Sequence, residues 1–85
     1  MTRTSKARLT LYGRQYCHLC SDMLAALDKL RGEFLFDVDV VDVDADPALE
    51  EQYDELVPVL VANGRELCHY FLDAPAVREY LAEFR

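Results

Sequence analysis

With 85 residues, 52% of them hydrophobic and 29% charged, the chain is a single globular domain near the lower size limit for a self-sufficient core. Its net charge of −7, from 16 acidic against 9 basic residues, excludes the positive footprint that nucleic acids and anionic membranes require. No apolar run approaches the roughly 20 residues that span a bilayer, and the basic start from Met1 to Arg8 leads into no secretory apolar region, so a cytoplasmic protein is expected.

The first eight residues are expected to form a flexible tail, with the domain occupying residues 9–85. Leu9-Thr10-Leu11-Tyr12 is short, apolar and β-prone, and predicts a first strand, followed by a loop from Gly13 to Tyr16. From His18 to Arg31 the apolar residues Leu19, Met23, Ala26, Leu27 and Leu30 recur at helical spacing. Lys29 and Arg31 fall in the last turn and Gly32 stops the helix. Phe34 to Val43 alternates apolar residues with Asp at period two, but the phase slips at Val40-Val41. The slip predicts either a bulge or a ladder confined to the second half.

Asp46-Pro47 opens a second helix, Asp as N-cap and Pro at the first helical position, which fades near Leu56. Two strands, Val57 to Ala62 and Arg65 to about Phe71, flank Asn63-Gly64, the strongest two-residue hairpin signal. Asp73 and Pro75 start a last helix carrying Val77, Tyr80, Leu81 and Phe84. The order β-α-β-α-β-β-α predicts an α/β fold (α+β in some schemes): a four-stranded mixed sheet with three helices, its first two strands parallel and its last two an antiparallel hairpin.

Three cysteines, Cys17, Cys20 and Cys68, cannot all pair within one chain, which fits a reactive dithiol or a metal site better than a disulfide framework. Cys17 falls after a strand at the first turn of a helix, where unpaired N–H groups and the helix dipole favour an anion. In such Cys-x-x-Cys settings the thiol pKa drops from about 8.5 to somewhere in roughly 3.5–7.5. A two-unit drop is worth about 2.7 kcal/mol of preference for the thiolate. Cys17 at the helix mouth is therefore the expected attacking thiol, and Cys20, one turn inside, the resolving one. His18 and Arg14 are local cations that would favour the thiolate.

Zinc is the competing chemistry, since Cys17, Cys20, Cys68 and His69 (or His18) include the ligand types of a Cys₃His site. Its second half is only Cys-His, and adjacent ligands rarely both reach one metal, so no metal is expected. The Asp-rich stretch from Asp37 to Asp46 reads as a solvated strand face, because alternate side chains diverge and no calcium-loop glycine is present. Counting back across Asn63-Gly64 sets Ala62 against Arg65, Val59 against Cys68 and Pro58 against His69, which brings His69 near the dithiol if Pro58 is there. Cys68 reads as a small buried hydrophobe. Tyr12 and Phe71 read as core, and Tyr16 and Tyr70 as rim.

In Leu11-Tyr12-Gly13-Arg14-Gln15-Tyr16-Cys17-His18-Leu19-Cys20, followed by Val57-Pro58-Val59-Leu60 and Asn63-Gly64, the chain resembles glutaredoxins, above all the compact glutaredoxin-like proteins of bacteria. The resemblance spans nearly all of residues 9–84 and implies a thioredoxin fold and thiol–disulfide oxidoreductase activity at Cys17 and Cys20. It further implies a cis Pro58 facing the dithiol, Val57 offering its backbone to a bound peptide or glutathione, and Arg14 where a glutathione-contacting lysine often stands. His18 and Leu19 replace the usual Pro-Tyr, Val57 the usual threonine, and Cys68-His69 the usual Gly-Gly, which alters the glutathione cradle. The implied substrates are protein disulfides or glutathione mixed disulfides, with Arg14, Tyr16, His18, Val57, Pro58 and His69 contacting them. Recycling would come from glutathione as co-substrate or from a reductase. No tightly bound cofactor is expected, and the protein is expected to be a monomer.

Overall fold

Strand β1 (Ala7–Gly13) is followed by helix α1 (His18–Leu30), strand β2 (Phe36–Asp42), a single 3₁₀ turn (Val43–Ala45) and helix α2 (Pro47–Tyr53). The hairpin β3 (Val59–Ala62) and β4 (Arg65–His69) and helix α3 (Ala74–Ala82) complete the chain. This computed structural model describes residues 7–53 and 55–83. Residues 1–6 of the expected tail, and Phe84 of the expected last helix, lie outside the described residues. The four strands form one sheet in the order β2-β1-β3-β4. The β1–β2 pair is parallel and the other two pairs are antiparallel, so the element order and mixed sheet match the sequence reading.

Local chemistry explains where the elements begin. The Asp46 carboxylate accepts the Ala48 N–H at 2.9 Å ahead of Pro47, and the Asp73 carboxylate accepts the Ala76 N–H at 3.1 Å ahead of α3, each satisfying an orphan donor of a first turn. At the hairpin, Asn63 and Gly64 take φ of 54° and 77°, the left-handed pair that a two-residue turn requires. One face of the sheet carries the main core. Leu9, Leu11 and Leu60 from the strands meet Met23 and Leu27 from α1 and Val77 and Leu81 from α3. Each fully buried aliphatic side chain contributes about 1.5–3 kcal/mol. On the other face the Tyr12 ring stacks on Tyr53 of α2, centroids 4.6 Å apart.

The structure departs from the sequence reading in four places. Ala7 and Arg8 belong to β1 rather than to a tail: Ala7 is fully buried and pairs with Phe36. The phase slip in β2 is neither a bulge nor a half ladder, because all seven residues pair regularly with β1 from Ala7↔Phe36 to Gly13↔Asp42. An edge strand tolerates the slip, and Val40 stands 60% exposed.

The irregularity falls instead in the hairpin, between Leu60 and Val61. Ala62 does face Arg65, but the extra residue moves the rest by one, to Leu60↔Cys68 and Val59↔His69. Such a shift cannot be counted from the turn alone. Finally, β4 stops at His69, so Phe71 lies beyond it and is 69% exposed rather than core.

Candidate active site

The register gathers the candidate residues at one end of the sheet. Gly13, the last residue of β1, pairs with Asp42, the last of β2. Its neighbour Tyr12 pairs with Val59, the first residue of β3, and Val59 with His69, the last of β4. Carrying the antiparallel register one step further sets Pro58 across from Gly13. Helix α1 starts at this same end, which sets Cys20 against Gly13, the residue across from Pro58. The Val57-Pro58 peptide bond is cis, and the Pro58 carbonyl accepts the Tyr70 N–H at 2.9 Å.

Cys17 is the N-cap of α1. Its backbone is extended, its sulfur accepts the Cys20 N–H at 3.2 Å, and its carbonyl accepts the Ser21 N–H. The first turn of α1 contains no acidic residue, which leaves the positive end of the helix to the sulfur. The two sulfurs lie within disulfide-bonding reach, with Cα atoms 5.2 Å apart. They are not equivalent: Cys17 is half-buried, while Cys20 is buried against Gly13. A pair arranged this way has the geometry for redox chemistry, one sulfur open to a substrate and the other held behind it.

The surrounding residues divide. Tyr16 precedes Cys17 with φ of 61° and a fully exposed ring. His18 is exposed, and its Nε2 lies 3.4 Å from the Asp22 carboxylate one turn along the helix, so an imidazolium there is offset by a carboxylate. Arg14 lines the space beside the pair and meets the Asp44 carboxylate at 3.2 Å. Val57 is half-buried. His69 stands on the strand next to Pro58, but its Nδ1–H donates to Glu66 at 2.6 Å and its ring packs edge-on against Tyr70. The bulge creates that pairing by bringing Glu66 and His69 to one side, and turn counting could not show it.

Cys68 is buried opposite Leu60, away from the pair. Burial pushes its thiol pKa up, with a hydrogen bond from the Asp73 backbone opposing the rise. Among the described residues no three His, Cys, Asp or Glu side chains are arranged to hold a metal ion. No helix among them is long and apolar enough to cross a membrane.

The sequence reading missed a cavity of about 310 Å³ beside the pair, lined by Leu11, Leu24, Val40 and Val41 together with Tyr16 and Cys17. The phase slip at Val40-Val41 was its only trace in the sequence, an apolar residue placed where a solvated edge would be polar.

A four-stranded mixed sheet with three helices and a Cys-x-x-Cys at the first helix mouth defines the thioredoxin fold. Thioredoxin 1 of Thermosipho africanus superposes with a TM-score of 0.59 at 19% identity, covering 89% of this chain and 96% of that one. Within that class, residues 8–82 match the model of the Glutaredoxin-like domain (DUF836), and the chain belongs to this family. Two bacterial structures are more similar. Protein Ne2328 from Nitrosomonas europaea has a TM-score of 0.84 at 38% identity over 95% of this chain and 98% of that one. Protein XcR50 from X. campestris has a TM-score of 0.69 at 43% identity over 88% and 96%.

Proposed function

We propose that this protein is a thiol–disulfide oxidoreductase working through Cys17 and Cys20. The observation that carries this reading is the asymmetry of the pair: Cys17 caps α1 half-exposed, while Cys20 is buried one turn inside. In the reduced protein the Cys17 thiolate attacks a substrate disulfide, forming a mixed disulfide and expelling one substrate thiolate, which takes up a proton. The Cys20 thiolate then attacks Cys17, releasing the second substrate thiol and closing the protein disulfide. Two electrons pass from the protein to the substrate. Glutathione or a protein reductase returns them to the dithiol.

Around this exchange, the Val57 backbone beside Pro58 would align an extended substrate. Arg14, Tyr16, His18 and His69 would contact it at the rim. The substrates are protein disulfides or glutathione mixed disulfides. A titration of wild type and Cys17→Ser against defined glutathione and dithiothreitol ratios tests the reading. Wild type is expected to oxidise and reduce reversibly as a two-electron couple, and Cys17→Ser to show none. A wild-type pair that never cycles would leave a binding module instead, a reading favoured by the fully exposed Tyr16 ring beside the pair.

A further inference from the structure

Exposure along β2 rises toward the dithiol end of the sheet. On the face of β2 turned toward α1, Phe36 is buried, Val38 half-buried and Val40 60% exposed. The gap between α1 and β2 there is the 310 Å³ cavity, floored by Leu11 and Leu24 and walled by Val40 and Val41, with Tyr16 and both cysteines at its rim. It lies on the β2 side of the pair, whereas Pro58 lies on the β3 side. Its size suits one or two aliphatic side chains, and an apolar side chain entering it would leave water for carbon contacts.

The stretch of chain that walls this groove is acidic. Ten of the 16 acidic residues and none of the 9 lysines and arginines fall between Arg31 and Arg65, the stretch that supplies β2, α2 and the Val57-Pro58 segment. Three of the ten, Glu33, Asp39 and Asp44, are paired with Arg78, Arg8 and Arg14 from elsewhere in the fold. At the groove itself the one cation, Arg14, is offset by Asp44 at 3.2 Å. Beyond Pro58 a second cavity of about 750 Å³ is lined by Glu50, Glu51, Glu55 and Tyr70, and the Tyr70 N–H donates to the Pro58 carbonyl. A substrate crossing the dithiol therefore meets an apolar slot on one side and carboxylates on the other. Such a field raises the encounter rate of cations and lowers that of anions.

We propose that the groove between α1 and β2 is a substrate-specificity site, receiving an aliphatic side chain next to the disulfide-bonded cysteine of a cationic polypeptide. This inference rests on the redox reading of Cys17 and Cys20 and adds the class of substrate: a lysine- or arginine-rich protein disulfide in preference to an anionic one. The exchange is the one written above, with the polypeptide cysteine as one of the two substrate sulfurs.

Three short synthetic peptides test it, each carrying one cysteine in a disulfide to 5-thio-2-nitrobenzoate, whose release is read by absorbance from the pre-reduced full chain. One places Leu beside the cysteine and Lys beyond, the second Leu and Glu, the third Gly and Lys. A peptide-free mixed disulfide of 2-mercaptoethanol with the same reporter is the control. The Leu–Lys peptide is expected to react about tenfold faster than the Leu–Glu peptide and about fivefold faster than the Gly–Lys peptide. Raising salt from about 0.02 M to about 0.5 M shortens the screening length from roughly 20 Å to roughly 4 Å and is expected to cut the Lys-to-Glu ratio below about threefold.

Val40→Asp is expected to abolish the Leu-to-Gly ratio, and Val40 is exposed enough for the change to leave folding intact. Equal rates for the Lys and Glu peptides, or for the Leu and Gly peptides, would overturn the proposal while leaving the redox reading in place. Release from the peptide-free control no faster than with Cys17→Ser would overturn the redox reading itself, and the proposal with it.

Discussion

Gly13 and Cys20 share a space too small for one more carbon: a Cβ at Gly13 would stand 2.9 Å from the Cys20 sulfur and 3.4 Å from its Cβ. The last residue of β1 is thus shaped to the inner thiol of the pair, and close approach is what requires glycine there. Gly13→Ala is expected to destabilise the fully reduced protein by about 1–3 kcal/mol, the usual cost of overpacking, measured by urea unfolding under dithiothreitol. In a Cys20→Ala background, where the sulfur is gone, the same change is expected to cost less than about half as much. Additive costs in this double-mutant cycle would show that the contact is not the cause.

The same asymmetry predicts an order of reaction for the three thiols. With the protein fully reduced, iodoacetamide is expected to modify Cys17 first, since it alone of the three is neither buried nor behind another sulfur. Cys20 follows and Cys68 comes last, burial holding its thiol protonated. Peptide mapping at successive times reads the order directly. In Cys20→Ser, a substrate disulfide is expected to trap a stable mixed disulfide on Cys17, visible as an added mass that dithiothreitol removes.

What the sequence made legible was periodic or local. The α1 stripe from Leu19 to Leu30, the Asp46 and Asp73 caps and the Asn63-Gly64 turn each carry their own physical signal within a few residues, and all stand in the structure. Position near a helix mouth made legible that Cys17 is the more open of the pair and Cys20 the buried one. What stayed hidden depended on residues far apart in the chain. The place of β2 at the sheet edge decided that Val40 would be exposed, and no local pattern encodes an edge. The hairpin bulge at Leu60/Val61 shifted His69 by one position and gave it Glu66 as a partner. Similarly, the Asp44 partner of Arg14, thirty residues along the chain, followed from tertiary geometry rather than from composition.

The hairpin turn offers a check on backbone conformation alone. Gly64 has φ of 77° and open space around its Cα, so a methyl there meets nothing and only the left-handed conformation resists it. Gly64→Ala is expected to destabilise by about 1–2 kcal/mol, the left-handed penalty for an L-residue. The redox behaviour of Cys17 and Cys20 should be unchanged, because the turn lies at the opposite end of β3 from Pro58. Urea unfolding gives the first quantity and a glutathione titration the second.

Cys68 couples stability to pH. Burial raises its folded-state pKa above that of the unfolded chain, so the native protein keeps the proton after the unfolded one has lost it. Native protein then binds more protons than unfolded, and stability falls with rising pH. The contribution is fully present below the ordinary thiol value of about 8.5 and is lost as pH climbs through the folded value. Tyr53, whose phenol burial and the neighbouring Tyr12 push upward, adds a slope of the same sign only above about 10. Urea unfolding of the oxidised protein, in which Cys68 is the sole free thiol, is therefore expected to show a midpoint constant to about pH 8 and declining once pH passes the ordinary thiol value of about 8.5. Cys68→Ala is expected to lower the midpoint at neutral pH through the lost packing and to flatten the decline, and a variant that keeps the full slope would place its origin elsewhere.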